Sequence, residues 1–224
     1  MNSPNGFPPD FEARDVEIIR AVEPYTMTST ERIHALIQAV RHIVRSRIPG
    51  DMVECGVWKG GSVMAMALSL LQLGDRDRSL YLFDTFSGMT PPTARDVDFE
   101  GQQAHTILNE VRCEVSQHEV ENAVFSTGYD RDRIHFVPGR VEETIPAHAP
   151  ELIALLRLDT DWYESTQHEL LHLFPRLARG GVIIIDDYGH WRGARQAVDE
   201  YITQNEVPLL LNRIDYTGRI GVKI

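Results

Sequence analysis

The sequence predicts an α/β protein built on a doubly wound, mostly parallel sheet. Short apolar runs typical of buried strands alternate with longer stretches that have helical periodicity. Several of these runs end at a glycine or an aspartate, residue types expected at the ligand-binding edge of such a sheet. Residues 209–214 and 218–224, joined by Asp215-Tyr216-Thr217, have the pattern of a hairpin. This hairpin is expected to give the parallel sheet an antiparallel edge.

The first half of the chain alternates helices with strands. Apolar residues recur at helical spacing over Thr30–Arg45, and Pro49-Gly50 closes that helix. Gly74 ends a further helix, and Asp84 follows the second strand. In order, the predicted elements are a helix over residues 12–22, a helix over 30–45, a strand over 52–55, a helix over 62–73 and a strand over 80–83.

The second half opens with a long irregular stretch between residues 87 and 129. It contains Pro91-Pro92 and few periodic apolar positions, and loops of this length in compact domains tend to be functional. Within it, Ser116 and Glu119 have the spacing of a capping box that opens a helix through residue 125. Three further strands are predicted, one over residues 134–137, one ending at 157–158 and one over 182–185.

The composition is that of an ordinary globular protein of 224 residues, 42% hydrophobic and 25% charged. We expect one domain, with an N-terminal arm over residues 1–28 and a lid insertion over residues 88–130. The formal charge of −11 disfavours nucleic acids and anionic membranes as partners. Cys55 and Cys113 are too few for a disulfide framework, and neither a signal peptide nor a spanning stretch is evident, so a cytoplasmic location is expected.

Two aspartate pairs are the strongest functional signal in the chain. Asp159 and Asp161 follow the run LRL, and Asp186 and Asp187 follow the run VIII. Buried parallel strands would place these carboxylates at one edge of the sheet, where they would repel one another unless a cation neutralised them or one took up a proton. Oxygen ligands suit a hard cation such as Mg²⁺. The alternative is that each aspartate caps a helix, but two such strand ends in one chain favour a site.

A glycine turn after the first strand indicates a cofactor site. Gly56, Gly60 and Gly61 have G-x3-G-G spacing instead of the G-x-G-x-x-G of a pyrophosphate binder, and they are expected to let a ligand approach the backbone. Ser62 can cap the next helix or reach the ligand. Glu54 adds a negative charge at the strand end, which favours a cationic cofactor such as S-adenosylmethionine over a dinucleotide.

Asp84 and Glu142 are candidates for the rest of the cofactor. Asp84 ends the second strand, where an acid can accept hydrogen bonds from both ribose hydroxyls. This position fits S-adenosylmethionine and a dinucleotide equally. Glu142 follows Gly139-Arg140, and it either shapes the adenine pocket or starts a helix.

Five segments of the chain form an ordered set: YTMTSTERIHAL, DMVECGVWKGGSVMAMA, YLFDTFSGM, LRLDTDWYEST and GGVIIIDDYGHWRGARQAVDEY. They span most of residues 25–202, and together they resemble the macrocin O-methyltransferase family, metal-dependent enzymes that methylate sugar hydroxyls of natural products with S-adenosylmethionine. The resemblance implies a Rossmann-like class I methyltransferase fold and a homo-oligomer. Between residues 90 and 133, where the family has its substrate lid, little beyond residues 93–98 matches.

The resemblance also implies roles for single residues. The implied Mg²⁺ ligands are Asp159, Asp186 and Asp187, and the implied general base is Asp161. The implied cofactor contacts are Glu54, Gly56, Ser62 and Asp84, with Thr26 and Met27 near the methionine end. The chemistry is consistent with these roles, because a metal lowers the high pKa of an oxygen that it binds. Asp161 could then take the proton, provided that it is turned inward.

His190 and Trp191 follow the second aspartate pair and are candidate substrate residues, with the tryptophan ring stacking on an apolar sugar face. For His190 the alternative is a place on a solvated turn at a helix start.

Three other functions remain open. A methyltransferase of a catechol or other vicinal diol would need the same metal but a flat aromatic slot, and the lid, with Phe99 and Phe125 as its clear aromatics, favours a polar acceptor. A nucleotide-binding oxidoreductase is disfavoured by the glycine spacing, and a noncatalytic metal-binding scaffold requires that Asp161 point away from the cleft.

Overall fold

The computed structural model describes residues 6–108 and 113–224. Over these ranges the strands form one seven-stranded sheet in the order β3-β2-β1-β4-β5-β7-β6. The strands are β1 (Asp51–Cys55), β2 (Leu80–Asp84), β3 (Ile134–Pro138), β4 (Ile153–Leu158), β5 (Leu177–Ile185), β6 (Asn212–Arg213) and β7 (Arg219–Val222). The first five are parallel, and β7 runs antiparallel to β5 and β6. The predicted fold, a mostly parallel sheet with a C-terminal antiparallel hairpin, is confirmed.

The helices are α1 (Ala13–Val22), α2 (Thr30–Arg45), α3 (Gly61–Leu73), α4 (Ala104–Ile107), α5 (Gln117–Phe125), α6 (Val141–Thr144), α7 (Tyr163–Leu173) and α8 (Arg192–Gln204). Helices α1 and α2 precede the first strand, α3 to α7 lie in the connections between successive parallel strands, and α8 leads to the hairpin. Short 3₁₀ turns lie at Glu23–Tyr25, Arg131–Arg133 and Phe174–Arg176. The helix predicted over residues 30–45 has those bounds, and α5 opens with the predicted capping box of Ser116 and Glu119.

The core lies on both faces of the sheet. Successive strand residues point to opposite faces, so that Met52 of β1 packs among α1, α2, α3 and α5, whereas Val53 and Cys55 pack towards α6, α7 and α8. All six residues of β4 are buried. Because both faces are covered, polar side chains of these central strands can reach solvent or a ligand only at the strand ends.

Two local details differ from the predictions. Of the two roles predicted for Ser62, the helix cap is excluded, because α3 begins one residue earlier and its N-cap is Gly60, which has a φ of 88°. The fifth strand is longer than the predicted 182–185 and begins at Leu177. Gly180, with a φ of 79°, and Gly181 interrupt the apolar pattern there, and the register with β4 shifts, but the strand continues.

The N-terminal segment is fastened to the helical layer by a buried ion pair. Asp15 is fully buried, and Arg41 Nη2 donates to its Oδ1 at 2.5 Å. Gln38 Nε2 donates to Asp15 Oδ2 at 3.1 Å, and His34 Nε2 lies 3.4 Å from the same oxygen. The ring of Phe11 stacks on His34 with 3.8 Å between centroids.

In the described ranges, no helix has both the length and the apolar character needed to cross a membrane.

Candidate active site

A cleft of about 370 Å³ opens at the carboxyl ends of β1, β2, β4 and β5. The structure brings all the site residues predicted from the sequence to this cleft. They are Thr26, Met27, Glu54, Gly56, Ser62, Asp84, Glu142, Asp159, Asp161, Asp186, Asp187, His190 and Trp191. The cleft has two halves. An acidic half lies at the carboxyl ends of β4 and β5, and a second half lies around the glycine turn after β1.

Three carboxylates form the centre of the acidic half. Asp159 follows β4, and Asp186 and Asp187 follow β5. One oxygen of each lies within 4.8 Å of the others. Asp187 Oδ2 is buried and has no hydrogen-bond partner among the described residues. A buried acceptor without a partner is costly, so this arrangement suits a ligand that supplies positive charge.

Arg157, which sequence reasoning missed, lies inside the carboxylate cluster. It is 2% exposed, and its Nη1 donates to Asp159 Oδ2 at 2.7 Å and to Glu54. Its Nη2 donates to Asp186 Oδ1 at 2.6 Å and to Thr28 Oγ1 at 3.1 Å. A bound cation or a proton is therefore not the only relief for the repulsion among the carboxylates, because the protein supplies a guanidinium of its own. Arg157 lies in the run LRL, two residues before Asp159, and this placement is the one local signal that could have found it.

Arg32 is a second cation beside the cluster. It donates through Nη1 to Asp186 Oδ2, and its Nε lies 2.9 Å from Asp215 Oδ2. Ser29, the N-cap of α2, donates through Oγ to the same Asp215 oxygen at 2.7 Å. These contacts fix the start of α2 against the turn of the C-terminal hairpin. No local pattern distinguishes Arg32 from a solvated helix residue, because Asp186 is 154 positions away along the chain.

Asp161 is turned into the cleft. Its φ is 68°, a left-handed conformation that aspartate tolerates better than most residues. Trp191 Nε1 donates to Asp161 Oδ1 at 2.8 Å. Burial, together with the nearby charge of Asp159, raises the pKa of Asp161 to about 8. A carboxylate with this proton affinity can act as a base near neutral pH.

The stacking role predicted for Trp191 is wrong. Its side chain is 3% exposed and packs edge to face against Trp162, with 5.0 Å between ring centroids. The indole therefore has no open face for a sugar, and its contact with the cleft is the hydrogen bond to Asp161. His190 keeps a partly exposed ring, and its Nδ1 lies 3.4 Å from the Tyr216 hydroxyl.

Charge repulsion is incompletely relieved in the acidic half. Burial raises the pKa of Asp159 well above its ordinary value, against the opposing effect of Arg157, and the neighbouring Asp186 adds to the rise. Burial raises the pKa of Asp187 in the same direction, and Asp161 contributes. The ionised forms of both carboxyls are therefore less favourable than in an exposed aspartate. A cation bound between them would favour ionisation.

The other half of the cleft contains Glu54 and Asp84. Glu54 is 1% exposed, and burial raises its pKa to about 7 although Arg157 opposes the rise. Its Oε2 has no hydrogen-bond partner among the described residues. Asp84 accepts from the backbone N–H groups of Val57 at 2.6 Å, Trp58 at 3.1 Å and Phe86 at 2.8 Å. A carboxylate has about four acceptor positions, so Asp84, predicted from sequence as a ribose ligand, also holds two turns and has about one position left.

On the side where a side chain would point, the three glycines face the protein, whereas Gly56 and Gly61 also line the cleft, so the close approach of a ligand there stays a prediction. A Cβ at Gly56 would lie 2.0 Å from the carbonyl oxygen of Asp159. A Cβ at Gly61 would lie 2.6 Å from the carbonyl oxygen of Tyr25, and one at Gly60 would lie 2.9 Å from a methyl group of Val124. The glycines thus allow the turn to pack against the segments that border the cleft.

The segment over residues 93–103 is fastened to the starts of α7 and α8. Asp96 is fully buried and accepts from the backbone N–H of Thr93 at 2.6 Å and of Tyr163 at 2.8 Å. The carbonyl of Val97 accepts from Arg192 N at 2.8 Å.

Part of the predicted lid, residues 109–112, lies outside the described residues. Glu142 lies in the first turn of α6, as the helix-start interpretation predicts, and it also lines the cleft, so its contact with adenine stays a prediction.

The sheet order, the turn after β1 and the acids after β2, β4 and β5 define a class I methyltransferase. Residues 7–220 match the model of a family described as Macrocin-O-methyltransferase (TylF), and the chain belongs to that family. It is an O-methyltransferase, and the class uses S-adenosylmethionine. This membership excludes the alternatives of an oxidoreductase and a noncatalytic scaffold.

Relatives with established names are similar over most of the chain. Demethyldecarbamoylnovobiocin O-methyltransferase of Streptomyces niveus is 32% identical over 196 residues, which cover 87% of this chain and 74% of that protein. The 8-demethyl-8-(2,3-dimethoxy-alpha-L-rhamnosyl)-tetracenomycin-C 4'-O-methyltransferase of Streptomyces olivaceus is 33% identical over 201 residues, 87% of this chain and 74% of that protein. The structure of the O-methyltransferase NovP is similar with a TM-score of 0.78 and 32% identity, over 89% of this chain and 82% of that one.

Proposed function

We propose that this enzyme uses Mg²⁺ and S-adenosylmethionine to methylate a hydroxyl of a sugar in a glycosylated natural product or a glycan. The observation that carries the proposal is the convergence of Asp159, Asp186 and Asp187 within 4.8 Å, in the same cleft as Glu54 and the glycine turn. The relative from Streptomyces olivaceus, named for a rhamnosyl-tetracenomycin, supports a sugar as the acceptor.

The acidic cluster fits Mg²⁺. All three donors are carboxylate oxygens, the donor type that Mg²⁺ prefers, and the buried Oδ2 of Asp187 lacks a partner among the described residues. Arg157 holds Asp159 and Asp186 in place through hydrogen bonds of 2.7 and 2.6 Å. When bound, the metal would supply positive charge that lowers the pKa of an acceptor hydroxyl.

The other half of the cleft fits S-adenosylmethionine, which would supply a methyl group on a sulfonium. The free oxygen of Glu54 offers a negative partner to a cationic group. Thr26, Met27 and Ser62 lie on the same lining, in keeping with contacts to the methionine portion. We assign the ribose hydroxyls to the remaining acceptor position of Asp84 and the adenine pocket to Glu142.

Asp161 is the proposed general base. Trp191 holds one of its oxygens, and its raised pKa, about 8, gives it the proton affinity to take the hydroxyl proton of the acceptor. S-adenosylmethionine, when bound, would supply the methyl group for the acceptor oxygen, and Asp161 would hold the proton that the acceptor hydroxyl gives up. His190, half-buried beside this point, is proposed to contact the sugar. Alignment of the two partners in one cleft supplies much of the acceleration.

We propose an N-terminal arm over residues 1–28, a substrate lid over residues 88–130 and a cytoplasmic homo-oligomer. The formal charge of −11 supports a protein that binds neither nucleic acid nor an anionic membrane. Light scattering of the purified chain would measure its oligomeric state directly.

The proposed reaction is tested by incubating the protein with S-adenosylmethionine and either methyl α-L-rhamnopyranoside or catechol, with Mg²⁺ or with a chelator. We expect mass spectrometry to show a methylated glycoside that forms only with Mg²⁺. Methylation of catechol without methylation of glycosides in a wider panel would favour the vicinal diol alternative. Turnover that survives complete metal removal would contradict the metal assignment, and isothermal titration with Mg²⁺ alone provides an independent reading.

A further inference from the structure

Two aromatic side chains are exposed at the mouth of the cleft. Phe99 is 53% exposed and Tyr216 is 58% exposed, and in residues 6–108 and 113–224 they are the exposed members of the Phe, Tyr and Trp set. Their ring centroids are 6.3 Å apart. Single exposed apolar residues are ordinary, but neighbouring exposed rings beside a cleft mark a binding surface.

His190 completes this group, which we call the aromatic corner (Phe99, His190 and Tyr216). The His190 ring centroid lies 5.5 Å from that of Phe99 and 6.1 Å from that of Tyr216. The ring planes are inclined to one another by 59°, 68° and 80°, so the rings meet in tilted and edge-on contacts instead of stacking in parallel. His190 and Tyr216 also line the cleft, so the aromatic corner is continuous with it.

Hydrogen bonds from side-chain and backbone donors connect the segments of the aromatic corner to one another and to the acidic cluster. Arg192 Nη2 donates to the carbonyl of Phe99 at 3.0 Å. On the other side, Gly189 N donates to the carbonyl of Thr217 at 2.9 Å, and Thr217 Oγ1 donates to the carbonyl of Asp186 at 2.7 Å. The three rings come from three separate segments that these bonds join. The surface is therefore built before any ligand arrives.

We infer that the aromatic corner binds a flat, apolar aglycone, the group to which the acceptor sugar is attached. This inference rests on the proposed function, because it places the sugar at the carboxylates and the attached group at the mouth of the cleft. The corner offers ring faces, and the Tyr216 hydroxyl and His190 Nδ1 lie within 3.4 Å of each other instead of facing separate ligand hydroxyls. Such a surface suits aromatic stacking more than the hydroxyl groups of a second sugar.

The test compares two glycosides of one sugar, 4-methylumbelliferyl and methyl α-L-rhamnopyranoside, by isothermal titration with S-adenosylhomocysteine and Mg²⁺ present. We expect the wild-type enzyme to bind the aryl glycoside about tenfold more tightly than the methyl glycoside. Phe99→Ala should remove much of this preference, Phe99→Tyr should keep it, and the double variant Phe99→Ala, Tyr216→Ala should abolish it. Leu171→Ala is the matched control, because Leu171 is 56% exposed on α7.

Equal affinity of the wild-type enzyme for both glycosides would overturn the inference, as would equal losses for both in Phe99→Ala. A change of oligomeric state in Phe99→Ala without a change in aryl preference would also overturn it and would show that a second copy of the chain covers the corner. Methylation of the methyl glycoside is followed separately. Its absence in the wild-type enzyme would count against the proposed function, while the binding preference would still decide the role of the corner.

Discussion

Arg41 and Arg157 are both buried arginines, and their surroundings differ in charge balance. Arg41 meets one buried acid, Asp15, at 2.5 Å, and neighbouring side chains occupy the remaining contacts of that carboxylate. Arg157 is shared by Glu54, Asp159 and Asp186. In the first arrangement one positive charge balances one buried negative charge, whereas the second contains more negative than positive charge.

This difference in charge balance distinguishes a structural ion pair from a binding site. Both oxygens of Asp15 have partners, so this pair has no use for a ligand. In the described part of the cleft, Glu54 Oε2 and Asp187 Oδ2 are buried without hydrogen-bond partners. Burying unpaired charge costs several kcal/mol, and a fold keeps such an arrangement where a ligand compensates for it. Excess charge around a buried arginine, more than its burial, therefore indicates the functional region.

The largest effect is expected for Asp161→Asn, which tests whether the excess charge has a catalytic use. The amide cannot take the hydroxyl proton, so kcat should fall by about 10²–10⁴-fold. Titrations with Mg²⁺ and S-adenosylmethionine should retain nearly wild-type affinities. Asp186→Asn is the comparison variant, and it should weaken Mg²⁺ binding as well. Equal loss of binding in the two variants would contradict the assignment of Asp161 as the base.

A matched pair of variants, Arg157→Met and Arg41→Met, tests the comparison directly. Each leaves a buried acid without its guanidinium, so each should lose about 3–5 kcal/mol of unfolding free energy in urea. Millimolar Mg²⁺ should restore part of this stability in Arg157→Met, because the metal would bind the carboxylates that the arginine served. Restoration of both variants, or of neither, would show that charge excess does not distinguish the two regions.

Glu169 is a third kind of buried acid and gives a smaller, pH-dependent effect. Its Oε1 accepts from Thr160 Oγ1 at 2.9 Å, its Oε2 has no partner among the described residues, and burial raises its pKa to about 8. The folded state therefore holds a proton that the unfolded chain releases above the ordinary pKa of 4.5. Stability from this group is full below that value and is lost as the pH rises towards about 8.

In Glu169→Gln, the loss of unfolding free energy between pH 4.5 and about 8 should be smaller than in the wild-type protein by a few kcal/mol. The measurement is the unfolding free energy as a function of pH. An unchanged pH dependence would show that Glu169 is ionised in the folded protein.

The smallest effect is expected for an exposed pair on α8. Arg195 Nε lies 3.5 Å from Asp199 Oδ2, and the two side chains are 62% and 48% exposed. Solvent screens such pairs, so Arg195→Ala should change the unfolding free energy by about 0.5 kcal/mol or less. A loss as large as that of Arg41→Met would mean that burial does not set the scale of these charge effects.

Local and periodic signals predicted much of this molecule. The capping box of Ser116 acts over three residues, and Asp159 and Asp186 come directly after apolar strands, so each could be predicted without knowledge of the fold. The partners of Arg157 could not, because Glu54 is 103 positions away and Thr28 is 129 positions away. The same reason explains the misassigned tryptophan: Trp191 is enclosed by Trp162, a residue of a different strand end.

The contact between Gly56 and Asp159 has a consequence for enzyme engineering. Gly56 follows β1 on the proposed methyl-donor side, and a side chain there would collide with the backbone of Asp159 on the proposed acceptor side. Any substitution at this position would therefore displace a proposed metal ligand at the same time. The two half-sites cannot be redesigned independently across this contact. Met27, which lines the cleft and is 64% exposed, is the more permissive position at which to begin.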